Sequence, residues 1–277
     1  MPETQAFEPQ PASQTIRVMS YNIRFDNPTD GENQWSPRKD RVSGLIHYHS
    51  PDVLGVQEAL VHQVQDLEAA LPDYHWYGVG REDGQDKGEF MTIFYRTDRF
   101  ELVRKDTFWL SPTSSMPSKG WDADVMRVCS WVQLKDRRDG QVFYHFNTHF
   151  DHMGTKAREE CARLLLEKIP EITGDADFVI TGDFNDPPQS NFYQVLTQSD
   201  FVHDAKQISQ RPHYGPEGTW ATFDVRQGVG NQIDFIFVSP RITVLRHAAL
   251  TDSQNFRYPS DHLPLLAEIR LPPHGHG

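Results

Sequence analysis

Cysteine is nearly absent from this chain: among 277 residues there are two, Cys129 and Cys161. A thiolate zinc site needs a cluster of them and a disulfide-stapled fold needs several pairs, so both architectures are excluded. The two positions fall in a predicted strand and a predicted helix and read as buried free thiols, which say nothing about compartment. No apolar run approaches the ~20 residues of a membrane-spanning helix. Low-complexity linkers are missing too, which predicts one domain over residues 15–272, preceded by a disordered lead-in (1–14) and followed by a flexible tail (273–277). His274 and His276 in that tail read as solvated. The lead-in, MPETQAFEPQPASQ, lacks the basic and apolar regions of a signal peptide; the default location is cytoplasmic, or secreted or periplasmic if a signal has been removed.

Positive charge is also scarce. Lys and Arg number 27 against 39 Asp and Glu, a net charge of −12, with no long basic run. Nonspecific duplex binding depends on Lys and Arg neutralising phosphates, so this balance leans away from an enzyme that scans DNA.

What the chain does contain is a series of short polar words, each at the end of an apolar run that reads as a buried strand. In order they are SYN (Ser20 to Asn22), QE (Gln57, Glu58), FNTHFDH (Phe146 to His152), TGDFND (Thr181 to Asp186), NQIDFIFVS (Asn231 to Ser239) and SDH (Ser260 to His262). Polar residues at strand ends gather along one edge of a sheet. They supply carboxylates, amides and imidazoles but no Ser or Cys placed to attack. Hard oxygen donors without thiolates favour Mg²⁺ or Mn²⁺ over zinc, and the chemistry they suggest is metal-assisted hydrolysis by water.

Between the words, strands alternate with helices. Ser36-Pro37 predicts a helix start with Ser36 as cap, followed by Val42, Leu45, Ile46 and His49 at helical spacing. Val61, Val64, Leu67 and Leu71 predict a second helix before Pro72, and Thr155 to Ile169 a third with Ala162, Leu165 and Leu166 inward. Ser190 caps a predicted short helix to Leu196. Arg137-Arg138-Asp139-Gly140 reads as a hairpin turn between WVQLKD and QVFYHFNTHF. Asp26 to Trp35, Arg81 to Glu89, Ser111 to Met126 and Gln207 to Gly230 read as irregular loops, the last two beyond the ~12 residues above which loops are commonly functional or disordered. Trp35 and Trp121, in two of them, are candidate stacking platforms.

The six words in this order resemble the endonuclease/exonuclease/phosphatase superfamily, which includes DNase I, exonuclease III, abasic-site endonucleases, inositol-polyphosphate 5-phosphatases, neutral sphingomyelinases and deadenylase-like enzymes. The match runs from about Ile16 to Leu271. The resemblance implies an α/β (α+β) fold: a DNase I-like four-layer sandwich of two mixed β-sheets packed face to face, with helices outside and the site at one rim. It implies that Glu58 binds the metal, with Asn22 beside it and Asp261 completing the neighbourhood. Asp183 then orients or deprotonates the attacking water, and Asn185 fixes water and phosphate.

His262 is expected to donate to a phosphoryl oxygen while Asp234 holds its other ring nitrogen. His149 matches a position that is His in DNase I-like members, and Glu89 is placed to pair with it. Arg127 resembles the phosphate-clamping Arg of DNase I-like relatives. Asp151 and His152 read as shaping their loop. One departure stands out: abasic-site and exonuclease III-like enzymes carry an acid two positions after the first-strand Asn, where this chain has Arg24. The expected protein is a monomeric Mg²⁺- or Mn²⁺-dependent phosphoesterase of a small phosphorylated molecule or nucleotide. A nuclease is the alternative, and a catalytically inactive binding scaffold a remote third.

Overall fold

A computed structural model describes residues 15–273; the expected lead-in and the two tail histidines lie outside the described residues. Along the chain come β1 (Ile16–Asn22), α1 (Trp35–His49), β2 (Val53–Ala59), α2 (Val61–Ala70), β3 (Tyr74–Tyr77), β4 (Phe90–Arg96), β5 (Phe100–Trp109), β6 (Val128–Asp136), β7 (Val142–His149), α3 (Thr155–Thr173), β8 (Asp177–Asp183), α4 (Asn191–Thr197), β9 (His203–Asp204), β10 (Asp234–Val238), β11 (Thr243–Ala249) and β12 (Leu265–Arg270). They form two six-stranded sheets, ordered β11-β12-β1-β2-β4-β3 and β5-β6-β7-β8-β10-β9. Each sheet is mixed, because β1 with β2 and β7 with β8 run parallel while their other neighbours are antiparallel. Helices cover the outer faces, as the resemblance implied.

Period-two alternation sorts the side chains. Ile16, Val18, Val53, Phe143, Val179, Ile236 and Val238 face the space between the sheets and make one buried cluster. Their alternates face outward: Met19, Tyr21, Leu54 and Val56 pack under α1 and α2, and Phe146, Phe178, Ile180 and Phe235 pack under α3 and α4. Towards one rim the layer between the sheets turns polar. Asn147 Nδ2 donates to the carbonyls of Val56 (2.8 Å) and Thr92 (3.0 Å), and its Oδ1 accepts from Gln57 Nε2 at 2.6 Å and Thr181 Oγ1 at 3.0 Å. Gly55 is required opposite them, since a Cβ there would stand 2.0 Å from Thr181 Oγ1. The site begins where this layer ends.

Several local expectations change. Helix α1 starts at Trp35, so Ser36 lies inside it and caps nothing. Trp35 is no rim platform either: it is 2% exposed and its indole donates to Asp66 at 2.8 Å. Helix α3 continues past Ile169, through Pro170, to Thr173. Ser190 holds the N-cap position of α4, but its hydroxyl donates to Pro187 O at 2.7 Å instead of accepting from the helix. The hairpin turn after β6 is as expected, with Gly140 at φ 78°. Cys129 and Cys161 are free and buried, and among the described residues no helix is long and apolar enough to cross a membrane.

Candidate active site

The inward rows that are apolar in mid-sandwich end in the polar words. Asp183 closes β8, and it is flanked in register by His149 of β7 and by Asp234 of β10. Across the gap Asn22 ends β1 in register with Gln57. Strict alternation would point Glu58 out towards the helices. A register irregularity between Val56 and Ala59, with Glu58 at φ 66°, turns it into the rim instead. Asn185 also takes the left-handed region (φ 54°), which asparagine tolerates, in the tight turn after β8.

The loop ahead of β12 brings in the last residues. Ser260 Oγ donates to Asn22 O at 2.7 Å, docking the SDH word on the end of β1. His262 Nδ1 then bonds Asp234 Oδ2 at 2.8 Å, and its Nε2 stands 3.7 Å from Asp183 Oδ2. Burial opposes charge on this ring, but Asp234 and Asp183 outweigh it and hold the imidazole pKa well above its ordinary value. Asp183 is pushed up to about 7 by burial and by the Asp234 charge, against the pull of His262.

His149 approaches Asp183 from the other side, Nε2 to Oδ2 at 3.4 Å. Asn185 Nδ2 donates to the same Nε2 at 2.8 Å, which leaves the neutral ring's proton on Nδ1. That proton faces Glu89 Oε2 at 3.8 Å, too far for a hydrogen bond. Burial first, then Arg127 and Arg81, keep this imidazole pKa well below the ordinary value. Glu89, raised to about 7 by burial and by Glu58, is itself held by Arg81 Nη1 at 2.6 Å.

Oxygens of Glu58 and Asp183 and a ring nitrogen of His262 all lie within 4.8 Å of one another, which gathers carboxylates that could hold a cation beside a protonated imidazole. Burial opposes ionisation of Glu58, yet His262, the Asn22 amide and Arg24 together hold its carboxyl below the usual range. Oxygen donors without a thiolate fit a hard divalent ion. Asn22 stands beside Glu58 as expected, but with its amide nitrogen towards the acids: Nδ2 donates to Glu58 and to Asp183, each at 2.9 Å. Asp261 is half-buried, with Oδ2 3.8 Å from Arg24 Nε, and stands outside that group of three. Burial raises its pKa.

Beyond Arg127, the site contains further arginines to which the sequence reading gave no role. Arg24, noted there as a departure, is ion-paired to Asp30 (2.9 Å) and lies 3.9 Å from Glu58. Arg38 is fully buried; its guanidinium donates to the carbonyls of Ile23, Arg24, Asn33 and Pro259, tying the loop after β1 to the segment before His262. Arg81 sits beside Glu89. Neither periodicity nor spacing singles out Arg38 or Arg81, because their partners are distant carbonyls and loop acids. Asp151 does shape its loop, accepting from the backbone N–H groups of Asp124, Val125, Met153 and Gly154.

The sequence model of the Endonuclease/Exonuclease/phosphatase family matches residues 19–262. Among solved structures, an endonuclease/exonuclease/phosphatase family protein from Bacteroides thetaiotaomicron superposes with a TM-score of 0.90 at 40% identity, covering 93% of this chain and 98% of that one. A mannosyl-6-phosphatase of the same organism gives 0.89 at 40% identity, over 92% and 99% of the two chains. Nocturnin of Drosophila melanogaster is 23% identical over 286 residues, 86% of this chain but 42% of that protein, so the chain spans under half of that relative's length.

Proposed function

The chain belongs to the endonuclease/exonuclease/phosphatase family, hydrolases of phosphate ester bonds, and from that premise we propose that it is a Mg²⁺-dependent phosphoesterase acting on a small phosphorylated molecule. The observation that carries this is the meeting of Glu58, Asp183 and His262 within 4.8 Å at the polar end of the sandwich. Glu58 would hold the cation, with Asn22 and Asp261 beside it, and Asp183 would face the water at its edge. Bound there, the cation would supply charge neutralisation for phosphoryl oxygens and the leaving group.

The chain's own groups divide the remaining work. Asp183 takes a proton from the water that attacks phosphorus in line, and Asn185, in the turn after it, fixes the water's position. As the water–phosphorus bond forms and the ester P–O bond breaks, His262 donates from Nε2 to a phosphoryl oxygen, its proton retained by Asp234 as negative charge grows. His149, neutral, offers its Nδ1 proton to the phosphate, and Arg127 binds the phosphate as a charge-assisted donor.

Two observations favour a small substrate over duplex DNA: the net charge of −12, and the Arg24 side chain committed to Asp30 near the acids. The 40% identical neighbour described as a mannosyl-6-phosphatase supports the same choice. The test is turnover of a panel of plasmid, nucleotides, sugar phosphates and phospholipid headgroups with Mg²⁺ and with EDTA. Activity should need the cation and vanish in Glu58→Gln. Full turnover in EDTA defeats the metal reading, and efficient plasmid nicking at physiological salt with no turnover of small esters turns the assignment to a nuclease.

A further inference from the structure

Four buried donor atoms clustered beside His149 have no hydrogen-bond partner: Arg81 Nε, Arg127 Nε and Nη1, and His149 Nδ1. The residues that carry them are 9%, 4% and 4% exposed. One carboxylate stands among them. Glu89 Oε2 accepts from Arg81 Nη1 at 2.6 Å and lies 3.7 Å from Arg127 Nη1 and 3.8 Å from His149 Nδ1. Asp151, 3.7 Å from Arg127 Nε, already accepts four backbone N–H groups. Glu89 and Asp151 balance the two guanidinium charges in this desolvated corner but leave four of the donors without a hydrogen bond. Buried donors of this kind are normally satisfied, and a fork of guanidinium donors matches the oxygens of an anion.

The corner is also closed. Trp109 Nε1 donates to Arg81 O at 2.7 Å and Leu110 N donates to Arg127 O at 2.8 Å, so the end of β5 clamps both arginine backbones. Behind them the loop over residues 80–89 folds tightly on itself: a Cβ on Gly80 would stand 2.3 Å from Lys87 O.

We propose that Arg81 joins Arg127 in a closed seat for the unesterified oxygens of a terminal phosphate, positioned by Glu89, and that the protein is therefore a phosphomonoesterase; this rests on the phosphoesterase reading above. A monoester dianion brings three free oxygens and two charges, which match the leftover donors. A diester brings two oxygens and one charge, and its second arm would have to leave through Arg81, Glu89 and Arg127. Arg81 is thus a specificity-determining residue, one that binds the substrate's charge and shuts out the second ester.

The experiment compares p-nitrophenyl phosphate with bis(p-nitrophenyl) phosphate in Mg²⁺, and measures inorganic phosphate binding by calorimetry. Wild-type kcat/KM should favour the monoester by about 100-fold or more, the scale on which a buried, mispaired site rejects a wrong ligand. Arg81→Met should cut that preference at least ~10-fold, mainly through KM, and weaken phosphate binding by a similar factor. Arg81→Lys, which keeps the charge and loses the fork, should fall between, and it serves in place of the Met variant if that one does not fold. A wild-type enzyme that hydrolyses the diester as well as the monoester overturns the seat and leaves the phosphoesterase reading standing. So does an Arg81→Met variant that loses both substrates in proportion and binds phosphate as before. No hydrolysis of either ester by the wild type would take both readings down.

Discussion

Two imidazoles face one carboxylate from opposite sides, and they hold their protons differently. His262 has Asp234 at 2.8 Å on its far nitrogen; His149 has Glu89 at 3.8 Å with Arg81 and Arg127 around it. Both rings are buried against Asp183 and both have an acid behind them. A bonded carboxylate that shares no cation raises the first pKa, while burial and two guanidiniums depress the second. The lesson is that ring identity fixes little: what stands behind the carboxylate decides which histidine keeps its proton.

The most severe break in this comparison removes the residue both rings share. Asp183→Asn should lower kcat at least ~1,000-fold, since proton acceptance and charge balance are lost together. Residual activity within ~10-fold of wild type would take Asp183 out of the centre. Removing one ring at a time should follow: His262→Gln by about 100- to 1,000-fold and His149→Gln by about 10- to 100-fold, because a charged donor outweighs a neutral one. A larger loss at His149 reverses the roles.

The pH profile sharpens the contrast. In the proposed mechanism His262 acts protonated, so activity should fall on the alkaline side as its raised pKa is passed. Asp234→Asn removes the main group raising that pKa, and the alkaline limb should move down by about one unit, while Glu89→Gln leaves that limb in place. Identical shifts in the two variants would erase the distinction. Stability carries the opposite signs. A raised histidine pKa favours the fold below the unfolded value near ~6.5, and that gain is lost as pH rises through the folded value. A depressed one favours the fold above ~6.5 and loses that gain as pH falls. In urea titrations between pH 8 and 5, His149→Gln should therefore lose less stability on acidification than wild type and His262→Gln more, by ~1 kcal/mol each.

The smallest effect belongs to His152, third histidine of the same FNTHFDH word. Its side chain is 48% exposed, and although its ring contacts Arg127 Nη2 at 3.3 Å, His152→Ala should change kcat/KM by less than about threefold. A loss matching that of His149 would show that the loop, and not the strand end, carries the function.

These residues were legible in the sequence to different degrees, for physical reasons. Asn22, His149, Asp183 and Asp234 sit where a two-residue period meets a strand end, and pattern alone places them on a common edge. Glu58 breaks that period and reaches the rim through an irregularity that periodicity cannot show; the QE word placed it. Trp35 and Ser36 were misread because the helix begins one residue earlier than Ser36, which buries the indole. The reading of α3 stopped at Ile169, whereas the helix carries Pro170 in its last turn and ends at Thr173 before Gly174. Arg38 and Arg81 were silent, since a cation bound to distant carbonyls or to a loop acid leaves no local signature.

In the first sheet β1 lies between β2 and β12, which gives the protein a particular history during translation. While the ribosome is still making the middle of the chain, one side of β1 has no partner, and an unpaired edge is a template for association with other chains. Only when β12 emerges can that edge close, and β12 arrives directly behind His262. The strand pairing that ends the nascent chain's exposure also anchors the segment that carries His262, so closing the sheet and completing the site are one event. Dependence on so distant a pairing predicts slow folding.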